Sequence, residues 1–304
     1  MEKWTLKDMR DLSGKVIIVT GGNSGLGFES VKAFAENGAT VVLASRDMQK
    51  GEDAKAEILK EYPKGKIEVL ELDLMDLESI GAFVKQFEEK YKRLDVLLNN
   101  AGIMTTPYFQ TKDGFEGQMG TNHLGHFALT AQLMKMIKAT PGSRIVNVSS
   151  SAHRFGKMDF DNLLFKDGKG YSPMKAYGRS KLANLLFTFE LQRHMDSSGI
   201  DAIAVASHPG ASRTNLDRYL KGKFLFKLIG PLFGLLSMSQ EKGALTQIRA
   251  SVDANVKGGQ FYGPHRNMTG YPVVVKSNEA SHNLADARKL WVMSEELTGI
   301  SFEF

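Results

Sequence analysis

The stretch KVIIVTGGNSGLG, residues 15–27, decides the architecture. Val16 to Thr20 is apolar and mostly β-branched with no polar alternation, which suits a strand buried on both faces. Glycines at 21, 22, 25 and 27 follow, and a helical stretch from Phe28 to Asn37 closes on Gly38. A strand, a glycine-rich turn and a helix in that order aim backbone N–H groups at an anion such as a pyrophosphate. The spacing is GxxxGxG rather than GxGxxG, and Gly21, Asn23, Ser24, Gly25, Leu26 and Gly27 are the candidate dinucleotide contacts.

The same alternation continues outward. Strands are expected at 40–44, 67–72, 95–98, 144–148 and 201–207, with helices at 48–62, 76–91, 117–139 and 173–195. This predicts an α/β, Rossmann-type doubly wound parallel sheet of about seven strands with helices on both faces. A chain of 304 residues could hold two domains, yet the pattern runs from residue 15 to residue 207 without a break, so one domain over 1–304 is expected.

Composition narrows the function. Hydrophobic residues at 42% and charged residues at 24% exclude a disordered or low-complexity chain. The absence of cysteine excludes disulfides, thiolate metal sites and a cysteine nucleophile. A net charge of +5 is too mild to point to nucleic acid. The N-terminal dozen residues are charged and lack the apolar core of a signal peptide, and no apolar run reaches the ~18 residues of a membrane span. A cytoplasmic location is the expectation.

The end of the second strand selects the cofactor. An acidic residue there would bind the ribose hydroxyls of NAD(H). This chain has Ser45 and Arg46, a hydroxyl and a guanidinium suited to a 2′-phosphate, with Asp47 beside them. The expectation is NADP(H) over NAD(H).

Tyr177 and Lys181 lie four apart on one face of a helix that begins near Pro173. A tyrosine titrating near 10 must shift by ~3 units, about 4 kcal/mol, to exchange a proton near neutral pH. One ammonium ~4 Å away at an effective dielectric of ~20 supplies about that much. The strand before this helix ends in Ser149, Ser150 and Ser151, at the sheet edge where ligands of open α/β folds bind. A hydroxyl there can stabilise developing alkoxide charge. Asn122, in TNHLGHF at 121–127, can bind a relay water or a backbone carbonyl, and the small residues Ala101 and Gly102 of NNAG leave room for a cofactor.

Taken together, TGGNSGLG at 20–27, Asp73-Leu74, NNAG at 99–102, Asn122, VNVSS at 146–150, the YxxxK of 177–181 and HPG at 208–210 resemble the short-chain dehydrogenase/reductase family. The likeness covers roughly residues 12 to 265. Within the family, NHLGHF and the residues around YGRSK are similar to the retinol-dehydrogenase and WW-domain-oxidoreductase branch. The resemblance implies that Tyr177 is the acid in carbonyl reduction and the base in alcohol oxidation, that Lys181 lowers its pKa and holds the nicotinamide ribose, that Ser150 orients the substrate oxygen, and that Asn122 supports the proton relay. It places Asp73, Leu74 and Asn100 along the adenine side and Pro209-Gly210 at the nicotinamide. Ser150 and Tyr177 stand 27 positions apart, farther than in shorter members, so Ser149 and Ser151 stay open as alternatives. After HPG the chain reads ASRTNL, and the contacts past Gly210 stay open too.

The remaining features are blander. His123 and His126 have metal-pair spacing but no third ligand nearby, and their helical face explains them better. His153 is read as a cap or surface residue as readily as a substrate contact. Segment 211–240, with a basic stretch leading into FLFKLIGPLFGLLSM at 224–238, reads first as a lid over an apolar pocket. A peripheral membrane contact through 218–238 and a homodimer contact are the other readings. All three point away from a small, charged substrate, and a lipophilic carbonyl compound or alcohol is the expected substrate. The rival from another class is a nucleotide sensor or scaffold without turnover, which would have no need of the Tyr/Lys pair.

Overall fold

A computed structural model describes residues 3–212 and 238–304. Among these, eight strands form one sheet in the order β3-β2-β1-β4-β5-β6-β7-β8. They are β1 (Val16–Thr20), β2 (Thr40–Ser45), β3 (Lys66–Glu71), β4 (Val96–Asn99), β5 (Ser143–Val148), β6 (Ala202–Ser207), β7 (Phe261–Pro264) and β8 (Pro272–Val274). The first seven run parallel, and β8 returns antiparallel at the edge.

Two-sided burial explains the unbroken apolar run in β1. Ile17 and Val19 belong to a core with Val31 and Phe34 of helix Gly25–Glu36 and Ile248 of helix Gln240–Val252. Val16 and Ile18 belong to the opposite core, with Phe83 and Phe87 of helix Leu77–Lys90, Phe127 of helix Gly125–Gln132, and Phe187 of helix Pro173–Ser197. Alternate residues thus point to opposite faces, and each face is covered by helices. Val19 lies beside Leu43 of β2 and Leu98 of β4. Strand order reverses across β1, which opens a crevice at the strand ends where Thr20, Asn99 and Val148 finish.

Two expectations change. The strand count is eight rather than about seven, because β8 is a three-residue edge strand too short to leave a sequence pattern. The helix expected over 117–139 is interrupted: Gly120–Leu124 is a π-helical turn, and Leu133, with ψ near 0°, separates Gly125–Gln132 from Met134–Ala139. The long interval between Ser150 and Tyr177 holds 3₁₀ turns at Ser151–Phe155, Phe160–Asn162 and Lys166–Gly168. The expected lid over 211–240, with its 218–238 surface, falls almost wholly on 213–237, outside the described residues. Its two ends meet, since the Met238 N–H donates to the Ala211 carbonyl at 2.7 Å. Among the described residues no helix is long and apolar enough to cross a membrane.

Candidate active site

The glycine turn is built for close backbone approach. A Cβ on Gly27 would stand 2.3 Å from the Gly21 carbonyl oxygen and 2.6 Å from Asn100 Nδ2, so only glycine fits. Ser24 takes the N-cap position of helix Gly25–Glu36 but makes no capping bond, and no acidic side chain lies in the first turn. The first-turn N–H groups therefore have no local anion, as a phosphate cradle requires. Asn100 reaches the turn from β4 and is committed to it: Nδ2 donates to the Thr20 carbonyl at 2.8 Å and Oδ1 accepts from Gln247 at 3.0 Å. The backbone N–H groups of Asn100 and Ala101 both donate to Thr20 Oγ1 at 2.9 Å.

At the end of β2 the two candidate residues separate. Ser45 is buried, and its hydroxyl donates to the Asp47 carbonyl at 2.8 Å. Arg46 is exposed, with Nη1 3.4 Å from Met75 Sδ. The acid next door is not free for a ribose: the Asp47 carboxylate caps helix Met48–Glu61 by accepting from the Lys50 N–H, and pairs with Lys50 Nζ at 2.6 Å. Those bonds hold its pKa below the usual carboxylate range. At the end of β3, Asp73 Oδ1 accepts from the Met75 N–H at 3.0 Å, and Leu74 is buried.

Tyr177, Lys181, Ser150 and Asn122 come together at the ends of β4 and β5. Tyr177 and Lys181 are both nearly inaccessible, at 5% and 4% exposure. Lys181 Nζ donates to the Val148 carbonyl at 3.0 Å and lies 5.8 Å from the Tyr177 ring centroid. That carbonyl, at the end of β5, anchors the ammonium beside the Tyr177 ring. Burial pushes the Tyr177 phenol above its ordinary range, while a hydrogen bond with the Ser150 hydroxyl acts the other way. Burial also pulls the Lys181 ammonium down to about 8.

The three serines sort by their partners. Ser149 is buried and donates to the Lys181 carbonyl at 2.8 Å, which removes it from the alternatives. Ser150 faces Tyr177 and accepts from the Ala152 N–H at 3.2 Å, which leaves its proton available. Ser151 starts the following 3₁₀ turn. His153 is a cap: it is buried, with Nδ1 2.6 Å from the Ser150 carbonyl. Asn122 clamps the loop after β4, accepting from the Ile103 N–H at 2.8 Å and donating to the Ile103 carbonyl at 3.0 Å. A Cβ added to Gly102 would sit 3.0 Å from Asn122 Oδ1 and 3.5 Å from Lys181 Nζ, so all three crowd one point. Pro209 and Gly210 follow β6, where the Ala211 N–H donates to the Met268 carbonyl at 2.8 Å. The β7–β8 turn over 265–271, mute in the sequence, thus buttresses the HPG loop.

Sequence reasoning missed Arg179. It is fully buried, donates to the carbonyls of Lys157, Asn162 and Leu163, and stacks 4.1 Å from the Phe165 ring centroid. It fastens the 157–165 excursion to the helix of Tyr177. An arginine between the tyrosine and the lysine carries no periodic signal by which to find this.

Comparison with known proteins gives a consistent picture. The family model "short chain dehydrogenase" matches residues 15–163. Retinol dehydrogenase 12 of Mus musculus is 39% identical over 294 residues, covering 96% of this chain and 89% of the relative. Retinol dehydrogenase 13 of Homo sapiens is 40% identical over 295 residues, covering 95% and 86%. A crystal structure of an uncharacterised protein from Mycobacterium paratuberculosis superposes with a TM-score of 0.83 at 38% identity, covering all of both chains.

Proposed function

We infer the reaction from one premise: the chain belongs to the short-chain dehydrogenase family, in its retinol dehydrogenase-like part, and is an oxidoreductase acting on alcohol and carbonyl groups. The finer reading is an NADP(H)-dependent enzyme that interconverts a lipophilic carbonyl compound and its alcohol. The observation that carries it is the meeting of Tyr177, Lys181 and Ser150 at the strand ends beside the uncapped glycine turn.

The residues present fit a nicotinamide dinucleotide. The open N–H groups of the glycine turn would hold the pyrophosphate, Arg46 the 2′-phosphate, Asp73, Leu74 and Asn100 the adenine side, and Lys181, Pro209 and Gly210 the nicotinamide end. When bound, the nucleotide supplies or accepts the hydride at the carbonyl carbon. In the reducing direction Tyr177 donates its phenolic proton to the carbonyl oxygen, and Ser150 donates a hydrogen bond to that oxygen as charge gathers on it. A phenol held protonated by burial suits that direction. Asn122 keeps the 100–103 loop against Lys181.

The relatives' names supply a lipophilic alcohol of the retinol kind. Phe155 is 73% exposed and Met174 46%, and they stand on the two elements that carry Ser150 and Tyr177, which agrees with an apolar approach to the site. A membrane surface or a second subunit near 218–238 remains a part of this reading to be tested by liposome flotation and by sedimentation.

The test is a panel of long-chain and cyclic aldehydes, ketones and alcohols, set against small charged ones, with NADPH and with NADH. NADPH-dependent reduction of the apolar members is expected; turnover confined to small charged substrates, or preference for NADH, would overturn the finer reading. Arg46→Ala should raise the NADPH Michaelis constant by roughly 10-fold or more, the scale of a charge-assisted bond, and change that for NADH less than about twofold. Equal losses would remove Arg46 from the cofactor site.

A further inference from the structure

We propose that His126 is a positioning residue of the oxidoreductase site, a neutral imidazole that holds the glycine turn and the Tyr177 helix in one register. The inference rests on the reading above and adds a residue that takes no part in hydride or proton transfer. His126 is 2% exposed. Its Nε2 lies 2.9 Å from Thr20 Oγ1, and its Nδ1 3.1 Å from the Asn122 carbonyl oxygen.

Counting donors and acceptors fixes the tautomer. A carbonyl can only accept, so Nδ1 carries the proton. Thr20 Oγ1 already accepts from the Asn100 and Ala101 N–H groups, which occupies both of its lone pairs. Its one hydroxyl proton is then free to go to Nε2, and the other acceptor near it, the Leu98 carbonyl, lies farther at 3.4 Å. Both ends of the ring demand the same species. A doubly protonated imidazole would ask a third bond of Thr20, and burial holds the ring neutral, its pKa pulled down to about 3.

Asn122, whose main chain takes the His126 bond, makes a further link with its side chain. Its Nδ2 donates to Ser180 Oγ at 2.9 Å, and Ser180 Oγ donates to the Tyr177 carbonyl at 2.9 Å. From the NNAG amides through Thr20 and His126 the donors point one way and end on the Asn122 main-chain carbonyl; the Asn122 side chain then makes a separate link through Ser180 to the tyrosine's own turn of helix. Within the first of these runs the aligned bonds polarise one another. The π-helical turn Gly120–Leu124 places Asn122 and its carbonyl, and His126 lies in the first turn of the ordinary helix that follows from Gly125. The other histidine of NHLGH, His123, faces away, with Nε2 2.9 Å from Ser294 Oγ.

Two measurements test the bridge. In the ¹⁵N-histidine-labelled wild type, long-range ¹H–¹⁵N spectra should show His126 as the Nδ1–H tautomer; the Nε2–H tautomer or an exchanging mixture overturns the proposal whether or not any substrate is found. In kinetics, His126→Phe should lower kcat about 10- to 100-fold, the cost of a small misplacement at a reacting centre, with the NADPH Kd within about threefold. His126→Asn keeps a donor at the Nδ1 position and His126→Gln an acceptor at the Nε2 position, so each should regain part of the lost kcat. A kcat for His126→Phe within twofold of wild type, no recovery in either amide variant, or a loss of cofactor affinity equal to the loss of kcat would each overturn it. If wild type turns over none of the panel, the functional reading fails instead, and the spectra still decide the bridge.

Discussion

Tyr177→Phe is expected to give a folded, dinucleotide-binding protein whose kcat is lower by about 10³-fold or more, within the range that a positioned acid or base contributes. The substitution removes one oxygen from a side chain that is 5% exposed and otherwise keeps its shape. Ser150 still accepts from the Ala152 N–H, so no buried group is stranded without a partner. The folding free energy should change by no more than about 1 kcal/mol, the net worth of one neutral hydrogen bond. Cofactor affinity should stay within about threefold, because the glycine turn and Arg46 are untouched. Stopped-flow reduction of an apolar aldehyde gives kcat, and quenching of protein fluorescence by NADPH gives affinity. Turnover within tenfold of wild type would remove Tyr177 from the chemistry. A parallel collapse of NADPH binding would turn it into a cofactor contact.

How much of this could be read before the structure depends on how local the physics is. β1 and the glycine turn were legible because a doubly buried strand and a turn needing close backbone approach each impose a short, dense pattern. Tyr177 and Lys181 were legible because four residues on a helix fix a shared face. The choice among Ser149, Ser150 and Ser151 was not, since it turns on which hydroxyl the neighbouring helix captures. Ser149 went to the Lys181 carbonyl, a contact across 32 positions. Arg179 and the 265–271 turn were illegible for the same reason: their partners lie in loops without periodicity. The main-chain partner of Lys181 was illegible on another point. Sequence spacing places two side chains on one face but does not say that the end of β5 offers the lysine a carbonyl.

That carbonyl leads to the second large effect. Lys181→Met should abolish useful turnover and, at the same time, make the ligand-free protein harder to unfold. An ammonium buried to 4% exposure with one carbonyl at 3.0 Å is poorly compensated for the water it loses. The fall from the ordinary 10.5 to about 8 corresponds to about 3 kcal/mol. Methionine has similar length and no charge, and Val148 keeps a donor because Asn184 Nδ2 also reaches its oxygen at 3.1 Å. The sign follows from proton counting. Below pH 8 the lysine is charged in both folded and unfolded states, and the folded state carries the whole penalty. Between pH 8 and 10.5 the folded protein sheds the proton first, so wild-type stability rises with pH through that window. The advantage of Lys181→Met should therefore reach up to about 3 kcal/mol at pH 7 and shrink toward zero by pH 10.5. Urea unfolding of both proteins at pH 7, 8.5 and 10 measures it. A variant less stable than wild type at pH 7, or a difference that does not move with pH, would mean that the fold depends on this lysine. A gain that fades with pH would mean that the lysine is kept against the interest of the fold, for the reaction.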